Sequence, residues 1–462
     1  ISVKGIDLAA RKGVGLIIAL DCGIKATEKV VYAKTKGVDF IICDHHLPAE
    51  EIPRAVAVLD PKRVDCSYPF DELSGCGVGF KLVQAYAQKN GIPFERILGL
   101  LDLLVVSIAS DIVPLVDENR ILAHFGLKYL NREPSKGLLS IIKICGLDKH
   151  NITIDDIVFK IGPRINAAGR MRMDETDENA SPSGGHAAVE LLIEGNESVA
   201  EEFGNVIDAY NQDRKSIDRS VTQEAHSYIE SNPELKRRKS TVIYNPKWMK
   251  GIVGIVASRL IETYYRPTVV LTMSNGFVTG SARSVPGFDL YQAVESCSDL
   301  LENFGGHMYA AGLTMKPENV EEFTRRFNDF VEQHIDPQML VPQVDIDSEL
   351  LFSDITPKFR DHLNRFQPFG PGNAAPVFVT YGVSNHGDAK LVGMECEHLR
   401  MDLMQRQKPN TKIQSIAFQQ PTHYQWVRAG KPIDVCYQIV ENHYRGCVTT
   451  QLRIKDIKPV EK

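Results

Sequence analysis

The sequence predicts an α/β fold that begins with a parallel sheet and ends in a small β-barrel. Three observations support this prediction. Short apolar runs alternate with helix-forming stretches early in the chain and again after residue 240, and a long polar helical stretch separates these two regions. Strand-like runs separated by Gly, Pro and Asn follow residue 342. At 462 residues, the chain is long enough for about three domains with separate cores.

Composition and charge exclude several classes of protein. Hydrophobic residues make up 43% of the chain and charged residues 24%, which argues against a disordered or collagen-like protein. The longest apolar runs, 14–20 and 97–106, are too short or too interrupted to cross a bilayer, so we expect no membrane contact. With a net charge of −6, any nucleic-acid contact must come from local patches. Nine cysteines without a C-x-x-C pair indicate reduced thiols and a cytoplasmic protein.

The first sheet is predicted from a strand–helix–strand pattern. Apolar runs at 14–20 and 40–43 flank a helix-forming stretch at 26–36, which ends before Gly37 as a C-terminal cap. A third short run at 55–59 completes three strands, and each run is followed by a polar residue. Because ligands of open parallel sheets bind outside the carboxyl ends of the strands, we expect a functional site at that edge.

Later patterns give the expected order of the domains. Helical patterns cover 77–89, 93–108 and 187–229, and strand–helix alternation restarts at 241–244. The stretch 174–185, rich in Asp, Glu, Ser and Gly, is expected to form a mobile loop. We therefore predict a parallel-sheet domain, a helical connector, a smaller α/β domain and a terminal β-barrel over residues 1–186, 187–236, 237–341 and 342–462.

The last 65 residues combine positive charge with aromatic side chains. Between residues 398 and 462 there are 11 Lys and Arg against 5 Asp and Glu. The aromatic residues in this stretch include Phe418, Tyr424, Trp426, Tyr437 and Tyr444. Such a surface suits single-stranded nucleic acid, because cations meet phosphates and bases stack on rings. The alternative is that the aromatics form the barrel core and the charges a solvated face.

Polar residues with metal-binding side chains follow or adjoin the predicted strands and helices. They are Asp21, Asp44, His45, His46, Asp60 and Asp111. Taken singly, such an aspartate can be a helix cap or a turn residue, and a histidine pair can simply pack. Taken together, carboxylates and imidazoles suit Mn²⁺ or Mg²⁺ better than the thiolate-rich sets of structural zinc. The set predicts a metal-dependent hydrolase.

These motifs also carry a resemblance to a known family. Asp44-His45-His46, with the residues 21–24 upstream and 109–115 downstream, resembles the signature of the DHH phosphoesterase superfamily. Other segments are similar to the RecJ family of single-strand-specific 5′ to 3′ DNA exonucleases. They are Gly-Pro-Arg-Ile-Asn-Ala-Ala-Gly-Arg-Met at 162–171, Gly-Ile-Val-Gly-Ile-Val-Ala-Ser-Arg-Leu at 251–260, Gly-Ser-Ala-Arg-Ser at 280–284, and Phe-Gly-Gly-His at 304–307 leading to Ala-Ala-Gly at 310–312.

The resemblance implies roles for individual residues. Asp21, His45 and Asp111 match metal ligands, and His46 matches a histidine that faces the metals and the scissile phosphate. Phosphate or nucleic-acid contacts are implied for Arg170, Ser281, Arg283, Gly305, Gly306 and His307. An arginine offers a planar charged fork to a phosphate, and glycines let a backbone come close. On the residues alone, Arg170 could instead form a salt bridge, and Gly-Gly-His could be an ordinary turn.

The resemblance also implies the domains, the reaction and the partners. It implies DHH, DHHA1 and OB-fold domains and an exonuclease that degrades single-stranded DNA from the 5′ end to mononucleotides in DNA repair and recombination. It implies Mn²⁺ or Mg²⁺, two ions in the complete protein, and a single-strand-binding protein and a helicase as partners. The family's Asp-x-Asp motif does not occur at the start of this chain, so we expect it in a segment that precedes residue 1.

Two other functions stay open at this stage. A related DHH phosphoesterase could act on short RNA or cyclic dinucleotides, although the basic C-terminal region favours a longer substrate. Alternatively, the chain could be a catalytically incomplete protein that binds single strands.

Overall fold

The computed structural model describes residues 1–171, 184–405, 411–444 and 447–460. The chain forms two compact units, one made of Ile1–Arg132 with Val344–Lys462 and the other of Glu133–Gln343. The domain boundaries expected from the sequence stay a prediction. In the described part of the chain, we find no helix with the length and apolar character needed to span a membrane.

The first unit begins with a three-stranded parallel sheet, as predicted. Its elements are α1 (Val3–Arg11), β1 (Leu16–Leu20), α2 (Thr27–Thr35), β2 (Asp39–Cys43) and β3 (Ala57–Leu59). The strands lie in the order β1-β2-β3, and Phe40 and Ile42 of β2 are buried in a core with Val30 of α2. The carboxyl ends of the strands therefore meet at one edge, where the polar residues follow.

Helices continue this part of the unit. They are α3 (Gly75–Lys89), α4 (Leu101–Ser110) and α5 (Asp117–Arg132). The helix predicted over 93–108 begins instead as two 3₁₀ turns, Phe94–Arg96 and Leu98–Leu100, before α4. Leu104, Val105 and Ile108 of α4 are fully buried, so this apolar helix is fixed in the core and carries Asp111 at its C-terminal end.

The second unit begins with helices. They are α6 (Lys136–Ile144), α7 (Ile154–Asp156), a π-helical turn (Ile157–Ile161) that runs into α8 (Gly162–Met171), α9 (Gly184–Ile193), α10 (Glu197–Ser231) and α11 (Pro233–Arg237). Asn196 caps α10, because its side-chain oxygen accepts hydrogen bonds from the backbone N–H groups of Ser198 and Val199. Of the loop expected at 174–185, residues up to 183 lie outside the described residues. The last two, Gly184 and Gly185, are the first turn of α9 and not loop.

A second sheet follows in this unit. Its elements are β4 (Thr241–Tyr244), α12 (Val253–Tyr264), β5 (Thr268–Ser274), β6 (Phe277–Arg283), α13 (Leu290–Glu295), β7 (Leu301–His307), β8 (Ala310–Met315) and α14 (Val320–His334). The strand order is β4-β5-β6-β8-β7, with β4 and β5 parallel and the other pairs antiparallel. The alternative of an ordinary turn at Gly-Gly-His is wrong, since these residues are in strand β7.

The C-terminal part of the first unit is the predicted barrel. It contains β9 (Ser348–Glu349), α15 (Pro357–Asn364), β10 (Phe378–Asn385), β11 (Lys390–Val392), β12 (His398–Gln405), β13 (Lys412–Ala417), α16 (Tyr424–Arg428), β14 (Ile433–Tyr444) and β15 (Cys447–Pro459). The strand order is β11-β12-β13-β15-β14-β10-β9, and β10 also pairs with β12, which closes the sheet. Alternate residues of β12, Leu399, Met401 and Leu403, are buried inside.

The aromatic residues of the barrel divide between core and surface. Tyr437 is fully buried, and its hydroxyl lies 2.8 Å from the Thr380 hydroxyl. Tyr424 and Trp426 pack against the barrel core, whereas Phe418 is 45% exposed. Tyr437 is therefore part of the barrel core, as the alternative interpretation of these aromatics expected. Phe418 is exposed and can stack on a base.

Candidate functional site

Asp21 stands directly after β1, where the chain leaves the sheet. Its backbone N–H donates to the Cys43 carbonyl at 2.9 Å, which adds one bond to the β1–β2 ladder. Its φ of 62° is left-handed, a conformation that aspartate tolerates better than most residues. This turn places the exposed Asp21 carboxylate at the carboxyl edge of the sheet.

The first residue of α3 leaves room for that carboxylate. A Cβ atom on Gly75 would lie 2.2 Å from Asp21 Oδ1 and 2.6 Å from Asp21 Cβ, so only glycine allows this approach. Ser74, just before it, caps α3 by accepting a hydrogen bond from the Gly77 N–H. Gly75 was not among the predicted site residues, because Asp21 is distant along the chain and no local sequence pattern links the two.

His45 is the buried centre of the cluster. Its Nε2 atom lies 3.1 Å from Asp21 Oδ1 and 3.3 Å from Asp111 Oδ2. Neither ring nitrogen has a partner with hydrogen-bond geometry among the described residues. The Asp21 carboxylate raises the pKa of His45, burial opposes this change, and the Asp111 charge adds to it.

Asp111 follows α4, and its N–H donates to the Ser107 carbonyl at 2.9 Å. Burial raises the pKa of Asp111, the neighbouring His45 ring lowers it, and the negative charge of Asp21 raises it further. Asp21 and Asp111 thus both lie beside one buried imidazole. Burial and the repulsion between the two carboxylates cost free energy. A divalent cation between these oxygen and nitrogen atoms would offset that cost.

Asp44, one of the metal-binding candidates in the sequence, lies outside the ligand group of Asp21, His45 and His46 and supports it from behind. It is 1% exposed and accepts hydrogen bonds from the backbone N–H groups of Ile24 and His45, at 2.9 and 2.8 Å. Burial alone would raise the pKa of Asp44, but these bonds and the one from the His46 side chain hold it below its usual value. Asp44 is therefore a fixed anion behind the cluster.

His46 is oriented by that anion. Its Nδ1 lies 2.7 Å from Asp44 Oδ1, while the ring is half exposed. A histidine that donates through Nδ1 to a carboxylate presents the Nε2 lone pair, which is the arrangement common for metal-binding histidines. Ligand atoms of Asp21, His45 and His46 lie within 4.8 Å of one another. His46 is thus a fourth candidate ligand beside the three that the resemblance implied.

The donor set fits a divalent cation of the Mn²⁺ or Mg²⁺ type. It offers carboxylate oxygens and imidazole nitrogens and no thiolate, and neither buried His45 nitrogen makes a hydrogen bond of good geometry to the described residues. Asp60, the residue after β3, is buried, and its Oδ1 accepts the Lys62 N–H at 2.9 Å. Burial raises the pKa of Asp60. Asp60 therefore stabilises a turn. Both Asp60 and Asp111 lie outside the group formed by Asp21, His45 and His46, but Asp111 Oδ2 is 3.3 Å from His45 Nε2 and so borders that group.

The second unit contains a basic pocket at the N-terminus of α12. Arg283 Nη1 donates to Ser281 Oγ and to the Ala282 carbonyl, both at 2.8 Å. A Cβ on Gly254, in the first turn of α12, would lie 3.1 Å from Ser281 Oγ and 3.3 Å from Arg283 Nη2. Burial, and then the charge of Arg170, lower the pKa of Arg283. A cation, a hydroxyl and a helix N-terminus thus meet, which favours binding of an anion.

Arg170 is an exposed member of the same pocket. Its Nη1 lies 3.4 Å from the Gly251 carbonyl, and a Cβ on Gly251 would lie 2.7 Å from the Arg170 carbonyl oxygen. Among the described residues, Arg170 has no ion pair with a carboxylate, so the salt-bridge alternative gains no support there. Arg214 of α10 was missed by the sequence analysis. Burial lowers the pKa of Arg214, the charge of Asp218 opposes this change, and the charges of Arg170 and Arg259 lower the pKa further.

The two glycines of β7 differ in their surroundings. A Cβ on Gly306 would lie 2.2 Å from the Ala310 carbonyl oxygen, so the pairing of β7 with β8 requires this glycine. Apart from its chain neighbours, no atom of the described residues would lie within 4 Å of a Cβ on Gly305. His307 is exposed at the end of the strand. Open space above Gly305 on an edge strand therefore remains available to a nucleic-acid backbone.

Three family models match successive parts of the chain. The N-terminal domain of the DHH family matches residues 6–108, the DHHA1 domain matches 239–333, and the RecJ OB domain matches 346–456. These matches agree in order with the parallel sheet, the second sheet and the barrel described above.

Several curated proteins are similar over most of the chain, and each is called single-stranded-DNA-specific exonuclease RecJ. The Bacillus subtilis protein is 34% identical over 96% of this chain, which spans 54% of that protein. The Salmonella typhimurium protein is 31% identical and the Haemophilus influenzae protein 30%, each over 100% of this chain and 80% of the relative. The chain thus spans about half to four-fifths of these relatives.

Solved structures show the same fold. The crystal structure of RecJ in complex with Mn²⁺ from Thermus thermophilus matches with a TM-score of 0.81 at 24% identity, covering 100% of this chain and 64% of that one. A structure of exonuclease RecJ bound to manganese matches with a TM-score of 0.58 at 25% identity, covering 74% of this chain and 81% of that one. The predicted α/β fold with a terminal barrel is therefore confirmed.

Proposed function

Because this chain belongs to the RecJ family of single-stranded-DNA-specific exonucleases, we propose that it hydrolyses single-stranded DNA from the 5′ end to mononucleotides. The observation that carries the proposal is the convergence of Asp21 and Asp111 on the buried Nε2 of His45. We propose Mn²⁺ or Mg²⁺ as the cofactor, with Asp21, His45 and Asp111 as ligands. Such ions supply Lewis acidity toward a phosphodiester.

The residues of the chain itself have distinct parts in this proposal. Asp21 and Asp111 provide negative charge at the edge of the sheet, and His45 fixes their separation. His46, held through Nδ1 by Asp44, presents Nε2 to the scissile phosphate or to a cation. In the second unit, we propose that Arg170, Ser281 and Arg283 bind phosphates of the strand and that Gly305, Gly306 and His307 approach its backbone.

The reaction is tested by nucleotide release from a 3′-labelled, 5′-phosphorylated single strand in the presence of Mn²⁺. The proposal is supported if mononucleotides are released from the 5′ end and if the number released per strand increases with the length of the strand. Faster turnover of short RNA or cyclic dinucleotides would favour a related phosphoesterase instead. Tight binding of the strand without any release would favour a single-strand-binding protein.

Arg283→Met is expected to weaken recognition of a terminal phosphate. It removes a charged donor, and a hydrogen bond to a charged group contributes roughly 1.5 to 3 kcal/mol. We expect kcat/KM on a 5′-phosphorylated strand to fall by about tenfold or more, with a smaller loss on a 5′-hydroxyl strand. The matched control is Arg326→Met. The Arg326 guanidinium donates to the Ser296 carbonyl and to Asp299, neither of which belongs to the proposed phosphate site. An equal loss on both strands would contradict a role at the terminal phosphate.

Binding of the strand is expected to depend steeply on salt. If the chain contacts three or more phosphates of the strand, the slope of log K against log salt is roughly −2 or steeper. Phe418, which lies 4.9 Å from the His398 ring and 5.9 Å from the Arg453 guanidinium, is the stacking candidate. Phe418→Ala should reduce affinity without changing that slope, since stacking releases no counterions.

The matched control for stacking is Phe277→Ala, because Phe277 is 40% exposed on the second sheet. Affinity is measured by fluorescence anisotropy of a labelled single strand between low and moderate salt. A flat salt response would contradict a phosphate-binding track. Equal effects of the two phenylalanine variants would contradict a stacking role for Phe418.

We further propose a role in DNA repair and recombination in the cytoplasm, with a single-strand-binding protein and a helicase as partners. All nine cysteines are free thiols, which is typical of proteins from a reducing compartment. A helicase would supply the single strand that such an exonuclease requires. Co-purification with the two partners, in the presence and absence of nuclease treatment, tests whether the contacts are direct.

A further inference from the structure

A turn beside the barrel contacts the loop that follows Asp111. This turn, residues 365–373, lies between α15 and β10, and we call it the 365–373 turn. The Leu115 N–H donates to the Pro371 carbonyl at 2.6 Å. Arg120 Nη2 donates to the carbonyls of Arg365 and Phe366, at 3.2 and 3.1 Å. Both ends of the turn therefore bind the segment 115–120 through backbone groups.

Two glycines let the turn come this close. A Cβ on Gly370 would lie 2.4 Å from Leu115 Cδ1. Gly372 has a φ of +72°, and a Cβ there would lie 3.0 Å from Val116 Cγ1. The turn thus fits the loop with no side chain between them at these two positions.

The 365–373 turn is itself held in one conformation. Asn373 Nδ2 donates to the carbonyls of Phe366 and Pro368, both at 2.9 Å. Gly370 and Asn373 exchange two backbone hydrogen bonds of 3.0 Å each. A turn with this many internal bonds can impose its shape on a neighbour.

The loop after Asp111 needs such a constraint. Ile112 has a φ of 60° and Asp117 a φ of 41°, both left-handed. This conformation is strained for a β-branched residue, and strained residues persist only where the surroundings fix them. Leu115, between the two, is 1% exposed. Asn119 Nδ2 also donates to the Pro114 carbonyl at 3.0 Å.

We propose that the 365–373 turn is a positioning element for Asp111, so that docking of the barrel region on this loop sets the affinity for the metal ion. This inference rests on the proposed function, because it takes Asp111 as a ligand. Leu115 is four residues after Asp111, and the strained Ile112 directly follows Asp111. A shift of this loop therefore moves the Asp111 carboxylate relative to His45. Groups that hydrogen-bond directly to a metal ligand commonly change metal affinity by about 10- to 100-fold when they are removed, and we expect the lower end of this range for a turn that acts through the loop.

The test measures Mn²⁺ binding directly, from the EPR signal of free Mn²⁺ titrated into the full chain. Arg120→Met and Asn373→Ala are expected to weaken Mn²⁺ binding by about tenfold. Arg120→Lys, which keeps a donor for the two carbonyls, should restore part of the affinity. Nucleotide release should require more Mn²⁺ for half-saturation and reach a near-normal kcat at saturating Mn²⁺, a pattern that general destabilisation does not produce.

Two controls separate the possible outcomes. Asn385→Ala removes a similar amide that binds the Gly387 carbonyl and the Asp402 N–H in the barrel, and it should leave Mn²⁺ binding unchanged. Asp111→Asn tests the ligand itself. If Asp111→Asn has no effect, the proposed function fails at this residue. If Asp111→Asn weakens Mn²⁺ binding but folded Arg120→Met and Asn373→Ala do not, the positioning role is overturned.

Discussion

His45→Ala is expected to reduce Mn²⁺-dependent nucleotide release by about a thousandfold, since metal stabilisation of the transition state is worth several kcal/mol and each 1.36 kcal/mol is about tenfold. His45 is the buried group on which Asp21 and Asp111 converge, at 3.1 and 3.3 Å. Without the imidazole, the two carboxylates lose a common partner and a nitrogen ligand disappears. Release of labelled nucleotide from a 5′-phosphorylated single strand measures the effect.

The control for this substitution is His124→Ala. His124 is an exposed histidine on α5 whose ring packs edge-on against Phe125. It should keep normal activity, and both variants should keep normal affinity for single-stranded DNA in the absence of metal. Full activity of His45→Ala would show that this cluster is not the metal site.

Gly75→Ala is expected to weaken Mn²⁺ binding and activity by at least about tenfold while leaving the chain folded. The added Cβ would lie 2.2 Å from Asp21 Oδ1 and 2.6 Å from Asp21 Cβ, so the Asp21 side chain must move. In a helix, alanine is favoured over glycine by about 1 kcal/mol, so α3 itself should not be weakened. Thermal unfolding and Mn²⁺ titration together measure the two effects.

Gly77→Ala is the matched control on the same helix. A Cβ on Gly77 would make only ordinary contacts, at 3.4 Å from Leu73 Cβ and Ser74 Oγ. Its Mn²⁺ affinity should equal that of the unmodified chain, with equal or higher thermal stability. If Gly75→Ala and Gly77→Ala have the same Mn²⁺ affinity and activity, the close approach of Gly75 to Asp21 is not needed for metal binding.

The sequence predicted the parts of the site that depend on periodicity. Asp21 and His45 follow successive apolar runs, and parallel strands bring their carboxyl ends to one edge whatever the details of packing. Asp111 was predicted from motif resemblance, and the structure places it at the end of a buried helix. The barrel was likewise predicted from strand-like runs separated by Gly, Pro and Asn after residue 342, although strand β12 was not among those runs.

What could not be predicted depends on contacts between distant residues. Gly75 matters because it lies against Asp21, and the 365–373 turn matters because it binds Leu115. Both contacts join residues that are far apart in the sequence, so no local pattern predicts them. Strand β7 was not predicted because glycine is rare in strands. Gly306 occurs there because the Ala310 carbonyl leaves no space for a side chain, which is visible only when β8 is in place.

The division of the chain into units has a consequence for synthesis on the ribosome. The second unit is continuous, whereas the first joins Ile1–Arg132 to Val344–Lys462. Arg120 and its acceptors at Arg365 and Phe366 are 245 and 246 positions apart, so these bonds form only after most of the chain has emerged. Contacts of such long range form slowly. A nascent chain therefore exposes all of the second unit before residues 365–373 emerge, and the bonds from these residues to the loop after Asp111 form only after that point.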